Sequence, residues 1–265
     1  MRKNNRGREI NSHAAEKYRL CAKGTVNNMK LSLVIPMYNE SSIINSTLTQ
    51  VSEYMRGHFD DYEVIFSDDG SRDGCRGIVD SFGDPHIRTV GYEQNRGKGC
   101  AIRTGVLAAE GDIVIFTDCD LAYGLDVVER MVGIFDGNPD CDVVIGSRNK
   151  DKDGYAGYTF LRKLASKVYI KCLAVAAGFK LSDSQCGLKG FRRDMARKIF
   201  STCEVDGFAF DFEVLIKAKN SGARIVEMAV KVINHRESKV NVFRDSFRML
   251  RDVRGIKKRN PAPKR

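Results

Sequence analysis

The stretch GDIVIFTDCDLAYG runs from Gly111 to Gly124. Ile113–Thr117 leans apolar throughout, which predicts a strand buried on both faces. The run leads directly into Asp118 and Asp120, with one cysteine between them. Side chains alternate along an extended backbone, so both carboxylates fall on the same side. Two negative charges that close repel unless a positive group stands beside them. Either these are turn-capping aspartates after a strand, or they await a hard cation such as Mg²⁺ or Mn²⁺, which prefers oxygen ligands and leaves positions open for phosphate.

Outward from this stretch the chain alternates strand and helix. LSLVIP, YEVIFSDDG, IRTVGY and CDVVIGS predict four further strands. Between them, helical spacing appears in Ile44, Leu48, Val51 and Met55, in RGIVDSF, from about Lys98 to Glu110, and in LDVVERMVGIF. Such alternation predicts an α/β fold: a mostly parallel sheet with helices on both faces. After Ser147 the rhythm changes. RNKDKDGYAGY predicts a mobile loop. A long helix ending near Gly178 follows, then DSQCGLKGF, a helix at RDMARKIF, a helical GFAFDFEVLIKAKNSG and a late strand ARIVEMAVKVI.

Ligands in open parallel sheets bind outside the carboxyl ends of the strands. Here those ends carry PMYNE, SDDGSRDG, NRGKG, TDCD and GSR. Asp68 or Asp69 can accept hydrogen bonds from a base or ribose, or form an ordinary Asx-turn. Asp73 reads as a cap for the next helix. Lys98 and Arg96 sit in a Gly-rich turn at a helix N-terminus, a place suited to anions. The third glycine of a dinucleotide fingerprint is replaced there by Ile102, and the P-loop spacing is absent. Arg148 ends a strand where a guanidinium can hold a phosphate, or where a surface salt bridge can form.

The formal charge is +10, with +6 in residues 1–30, +8 in residues 236–265 and −4 between. Basic ends of this kind suit a polyanion, either nucleic acid or anionic lipid. The eight cysteines show no C-x-x-C pair and read as reduced, mostly buried thiols. No segment approaches the roughly 20 apolar residues of a membrane span. The N-terminus has a basic start but no apolar core of a secretory signal. The organisation expected is a polar basic arm (1–30), a central domain (31–235) and a basic amphipathic helix with its tail (236–265).

Taken in order, VIPMYNE, SDDGSRDG, NRGKGCAIRTG, TDCDLA, IGSR and DSQCGLKGF resemble the family 2 glycosyltransferases of the GT-A fold. DSQCGLKGF, FDFE and ESKVNVFRDSFRMLRD lean toward the polyprenyl- and dolichyl-phosphate hexosyltransferases. The resemblance implies a GT-A, Rossmann-like α/β domain over about residues 31–255. It implies that Pro36, Tyr38 and Glu40 line a nucleotide pocket and that Asp68 or Asp69 meets the base. It makes Asp118 and Asp120 a Mg²⁺- or Mn²⁺-binding pair on the donor diphosphate. Arg148 meets a phosphate, and Gln185 lies near the sugar or acceptor.

The chemistry implied is transfer of a hexose, glucose by branch resemblance, from a nucleotide sugar to a lipid phosphate, with inversion. A lipid phosphate is largely ionised at pH 7 and needs no general base. A hydroxyl acceptor of a polysaccharide or glycolipid would need one, and Asp183 and Asp211 are the candidates. Glu213 reads equally as a buried ion-pair partner or a helix-dipole residue. The C-terminal stripe Phe243, Phe247, Leu250 and Val253, beside Arg244, Arg248 and Arg251, predicts an amphipathic helix. It would lie on the cytoplasmic membrane face or pack on its own domain. An NAD(P)-dependent oxidoreductase would need an intact glycine fingerprint after the first strand, which is missing. Nucleic-acid binding would account for the basic ends but not for carboxylates at strand ends, so no nucleic acid is expected as a partner.

Overall fold

The structure, a computed structural model, describes residues 29–154, 182–234 and 252–261. The N-terminal arm up to residue 28, the long helix ending near Gly178, and Phe243, Phe247 and Leu250 lie outside the described residues. The strands are β1 (Leu31–Met37), β2 (Tyr62–Asp69), β3 (Ile87–Tyr92), β4 (Ile113–Phe116), β5 (Val143–Ser147), β6 (Lys189–Arg192) and β7 (Ile225–Ala229). The helices are α1 (Ile44–His58), α2 (Cys75–Asp80), α3 (Lys98–Ala108), α4 (Asp126–Gly137), α5 (Arg193–Phe200) and α6 (Phe210–Asn220). Residues 252–259 are also helical (α7).

The strands form one sheet in the order β3-β2-β1-β4-β6-β5-β7. All neighbours run parallel except β6, which is antiparallel to both β4 and β5. The alternation of strand side chains divides the core in two. Leu33 and Ile35 of β1, with Ile113 and Ile115 of β4, face α1, α2 and α4. Val34, Val114 and Phe116 face α3, α5 and α6. Both sheet faces are therefore covered, which is why these strands read as continuous apolar runs.

Strand β6 is a departure from the sequence reading, in which DSQCGLKGF carried no strand. Its residues KGFR begin and end on a cation and include a glycine, so neither alternation nor β-propensity marks them. Its pairing makes it a strand: Phe116 lies opposite Lys189 and Val114 opposite Phe191. The segment after Ser147 also differs from the predicted loop at its start. Arg148–Lys150 forms a 3₁₀ turn in which Arg148 is buried.

Helix α7 packs on the domain. Val253 and Ile256 are buried in the core beside α5 and α6. Asn220 donates to the Pro261 carbonyl at 3.3 Å, and Arg259 pairs with Glu204 at 3.1 Å. Over 252–259 the apolar stripe thus faces the protein, while Arg254, Lys257 and Lys258 are exposed. Ile256→Ala should lower unfolding stability by about 2–4 kcal/mol, the cost of a cavity in a packed core. Lys257→Ala should change it by less than about 0.5 kcal/mol. Urea unfolding of the two variants measures the difference.

Candidate active site

Because β6 runs antiparallel, its first residues emerge at the same sheet edge as the carboxyl ends of the parallel strands. This brings the 182–188 segment against the loop that follows β4. The register continues the pairing closely enough that a Cβ at Gly187 would collide with the Asp118 carboxylate. The absence of a side chain at Gly187 thus lets the Asp118 carboxylate lie against its backbone.

The backbone at the two aspartates is not extended, contrary to expectation. Strand β4 ends at Phe116, and the Leu121 N–H donates to the Asp118 carbonyl at 3.0 Å. Leu121 has φ of 49°, a left-handed conformation unfavourable to a branched side chain. Neighbouring segments hold it there. Thr47 Oγ1 donates to the Cys119 carbonyl at 2.9 Å, and Asn234 Nδ2 donates to the Asp120 and Leu121 carbonyls at 3.2 Å each. Burial nevertheless alternates. Cys119, Leu121 and Tyr123 are buried, while Asp118 and Asp120 are only partly so, so both carboxylates stand on the open side.

Lys98 is the counter-charge of Asp118. Its ammonium contacts Asp118 Oδ1, both side chains being about a quarter exposed (27%). Burial disfavours the Lys98 charge, but Asp118, Asp211 and Asp120 together raise its pKa above the ordinary value. Asp211, in the first turn of α6, receives Lys189 Nζ at 2.5 Å. Lys189 is fully buried, also donates to the Cys186 carbonyl at 2.7 Å, and lies 5.6 Å from the Phe116 ring centroid. Burial pushes the Asp211 carboxyl up, and Lys189 and Lys98 act against that rise. Two acids and two lysines therefore alternate across this edge: Asp118, Lys98, Asp211, Lys189.

The glycine-rich turn before α3 serves the protein's own groups rather than an open anion site. The Asp69 carboxylate receives Tyr92 Oη at 2.7 Å, Asn95 Nδ2 at 2.8 Å, the Arg96 N–H at 2.8 Å and the Gly97 N–H at 3.0 Å. In the first turn of α3 the Gly99 and Cys100 N–H groups donate to the Asp206 carbonyl at 2.7 and 3.2 Å. A Cβ at Gly99 would sit 2.5 Å from the Val205 carbonyl oxygen, so this glycine admits the 205–206 backbone. Arg96 and Arg103 both bond the Asp206 carboxylate. Of the two β2 aspartates, Asp69 is committed to the turn. Asp68 is buried and accepts the Ser71 N–H at 3.1 Å through Oδ1.

The β1 and β2 ends are laced together. Asn39 N–H donates to Ser71 Oγ at 2.9 Å, Arg72 N–H to Asn39 Oδ1 at 2.9 Å, and Ser41 N–H to Asp73 Oδ2 at 2.7 Å. Asp73 also accepts the Cys75 N–H at 3.1 Å. Burial works against its charge, but these donors outweigh it and hold the carboxyl well below the usual range. Asp73 thus caps α2 and anchors the β1 loop, while the residue at the cap position itself is Gly74. Beside this lacing, Tyr38 is exposed and Pro36 and Glu40 are half-buried.

Arg148 and Asp183 meet each other. The Arg148 main-chain N–H, Nε and Nη2 bond the Asp183 carboxylate at 3.1, 2.6 and 2.9 Å. Asp183 is fully buried, and Oδ1 also accepts the Gln185 N–H at 3.3 Å. Asp183 has both oxygens on Arg148, and Asp211 is engaged through Oδ1 by Lys189. Among the described residues, Gln185 Nε2 is buried with no hydrogen-bond partner. Glu213 is buried and holds the Glu204 and Val205 N–H groups at 3.0 and 2.8 Å, a structural task. Sequence reasoning missed Lys189 and Gly187. A lysine inside the apolar run LKGF was the available signal. Nothing short of the β4–β6 pairing marks Gly187.

A cation fits the donor set. Asp118 and Asp120 offer hard oxygen ligands at a partly exposed edge, where Lys98 is on Asp118 Oδ1 and the Ala122 N–H donates to Asp120 Oδ1 at 3.1 Å. Among the described residues no group of three or more His, Cys, Asp or Glu side chains comes together. An ion at the aspartate pair would therefore complete its shell from a bound phosphate or water.

An α/β sheet of this order, with acids and cations at one carboxyl edge, is a GT-A-type glycosyltransferase architecture. Residues 32–200 match "Glycosyl transferase family 2", and the chain belongs to that family. It is 32% identical over 247 residues to a dolichyl-phosphate beta-glucosyltransferase of Dictyostelium discoideum, covering 87% of this chain and 75% of that one. It is 29% identical over 273 residues to the Homo sapiens protein of the same name, covering 94% and 84%. Among solved structures, glucosyl-3-phosphoglycerate synthase from Mycobacterium tuberculosis, in complex with Mn²⁺, UDP and phosphoglyceric acid, superposes with a TM-score of 0.67. That pair is 21% identical, covering 89% of this chain and 80% of that one, a likeness of fold.

Asp69→Ala should strip four donors of their acceptor and lower stability by about 3 kcal/mol. Asp68→Ala, with one such bond, should cost about 1 kcal/mol. Chemical denaturation of both variants tests the division of labour.

Proposed function

We propose that the chain transfers glucose from UDP-glucose to a dolichyl- or polyprenyl-type lipid phosphate, with inversion at the anomeric carbon. The curated relatives carry that acceptor and that sugar in their names. The structural observation that carries the choice of acceptor is the state of the two candidate bases. Asp183 is paired with Arg148 and Asp211 with Lys189. A hydroxyl acceptor needs a carboxylate to take its proton. A phosphate monoester arrives already ionised, so it suits an edge at which Asp183 is held through both oxygens by Arg148 and Asp211 through Oδ1 by Lys189.

In this reading Asp118 and Asp120 would hold Mg²⁺ or Mn²⁺, which would supply Lewis-acid stabilisation of the charge that the departing UDP gains. The chain's own residues do the rest. Pro36, Tyr38 and Glu40 border the nucleotide, and Asp68 accepts from the base. Lys98 adds positive charge at the diphosphate, a preorganised electrostatic contribution. Arg148, oriented by Asp183, faces a phosphate, and Gln185 brings an unpartnered amide to the sugar or acceptor side.

Among the described residues no helix is long and apolar enough to cross a membrane. We place the protein peripherally at the cytoplasmic membrane face. The domain over 31–235 carries the chemistry, and α7, docked on it, presents its basic side outward. Lys257→Glu with Lys258→Glu should weaken binding to anionic-lipid vesicles, at about 1 kcal/mol per basic residue removed. Flotation at low and high salt checks this, and unchanged flotation would remove α7 from the membrane contact.

The activity test is transfer of radiolabel from UDP-glucose into the organic phase, with polyprenyl phosphate and Mn²⁺ present. Label is expected in the lipid, lost with EDTA and reduced at least about a hundredfold by Asp120→Asn, comparable to removal of a key electrostatic group. Metal-dependent UDP release without lipid label would transfer the reading to a hydroxyl acceptor.

A further inference from the structure

Asp118 has two claimants. The proposed function assigns it to a divalent cation, while in the structure the Lys98 ammonium is on its Oδ1. Lys98 is the first residue of α3, and that helix start is pinned by the Asp206 carbonyl. Its backbone is therefore fixed, and any relocation of its charge falls to the flexible four-carbon stem. A cation entering at Asp118 would meet an ammonium already there, and two like charges on one carboxylate repel.

A neighbouring carboxylate offers that ammonium a second partner. A Cβ at Gly99 would sit 2.6 Å from the Phe210 Cβ, so the start of α3 packs on the start of α6, and Asp211 lies in the electrostatic reach of both Lys98 and Asp118. It cannot swing away itself, because Lys189 Nζ holds its Oδ1 at 2.5 Å. Lys189 in turn is fixed by full burial, by the Cys186 carbonyl at 2.7 Å and by the Phe116 ring. The first turn of α6 favours a negative charge at Asp211 through the helix dipole.

We propose that Lys98 and the divalent cation exchange at Asp118, and that Asp211, fixed by Lys189, is the second seat that receives the Lys98 ammonium. The inference rests on the reading of Asp118 as a cation ligand. Asp211 and Lys189 are then positioning residues, acting on the cation site through Lys98. Without the ion, Lys98 neutralises Asp118 at an edge rich in carboxylates. With it, the ammonium stays at the site as a further positive charge rather than being expelled. No bond is made or broken in the exchange.

The test is Mn²⁺ binding to the nucleotide-free full chain, followed by electron paramagnetic resonance of free Mn²⁺. The proteins are the wild type, Asp118→Asn, Lys98→Met, Asp211→Asn and the double variant Lys98→Met/Asp211→Asn, each with its melting curve. Lys98→Met should tighten Mn²⁺ binding about tenfold, the size of one partly buried charge pair. Asp211→Asn should weaken it several-fold, because the ammonium then has only Asp118. In the Lys98→Met background the Asp211 substitution should have no effect, since its influence passes through Lys98. Should Asp211→Asn fail to fold, Lys189→Met/Asp211→Leu replaces the buried pair by apolar groups and enters the same cycle.

Unchanged or weaker Mn²⁺ binding in Lys98→Met overturns the exchange. So does an Asp211→Asn effect that persists in full without Lys98, which would make Asp211 a structural group or a direct electrostatic partner of the ion. Either result leaves lipid transfer standing. If the wild type shows no Mn²⁺ binding that Asp118→Asn abolishes, the cation reading of Asp118 falls and the exchange falls with it.

Discussion

Like charge at the edge of a sheet is the constraint to which the rest of this structure answers. Burial raises the cost of the Asp211 charge, and the nearby Asp118 adds to it. Lys98 and Lys189 make the arrangement tolerable by alternating with them. A buried ion pair of this kind is a poor source of net stability, because desolvation consumes most of the Coulombic gain. Its presence in a core that phenylalanines could have filled points to a demand on the site rather than on the fold.

That demand shapes the chain on both sides of the sheet. The antiparallel β6 sets Lys189 opposite Phe116 and lets Gly187 lie against Asp118. The 205–206 backbone crosses the start of α3, fixing Lys98, and only glycines at 97 and 99 admit it. Asp69 ties the preceding turn through four donors, and Arg148 is clamped by Asp183. Few groups at this edge are left to find their own orientation. Such rigidity is the condition for electrostatic stabilisation without reorganisation at the moment of reaction.

Membership of glycosyl transferase family 2 accounts for the architecture. It does not by itself choose between a phosphate and a hydroxyl acceptor. The pairing of Asp183 with Arg148 through both oxygens bears on that choice, because a base must have an oxygen to spare; Lys189 holds Asp211 through Oδ1 alone. The same logic separates α7 into two faces. Val253 and Ile256 are spent on the domain core, and what remains outward is charge.

The sequence by itself determined the alternation of strands and helices, the two-sided burial of the sheet, and the edge where charged side chains gather. Apolar runs such as LSLVI and IVIF and the polar groups that end them are local patterns, and local patterns survive in a string of letters. Asp118, Asp120, Lys98 and Arg148 were legible for the same reason, as charges at strand ends. Only the tertiary structure decided which charges are partners. Asp183 lies 35 residues from Arg148, and Lys189 lies 22 from Asp211. β6 was invisible because its identity is a pairing between distant segments, not a composition. The turn at Asp118–Leu121 was invisible because a left-handed leucine is held by Thr47 and Asn234, far from it in the chain. Charge can be counted along a sequence, but whether a charge is free to act depends on what folds against it.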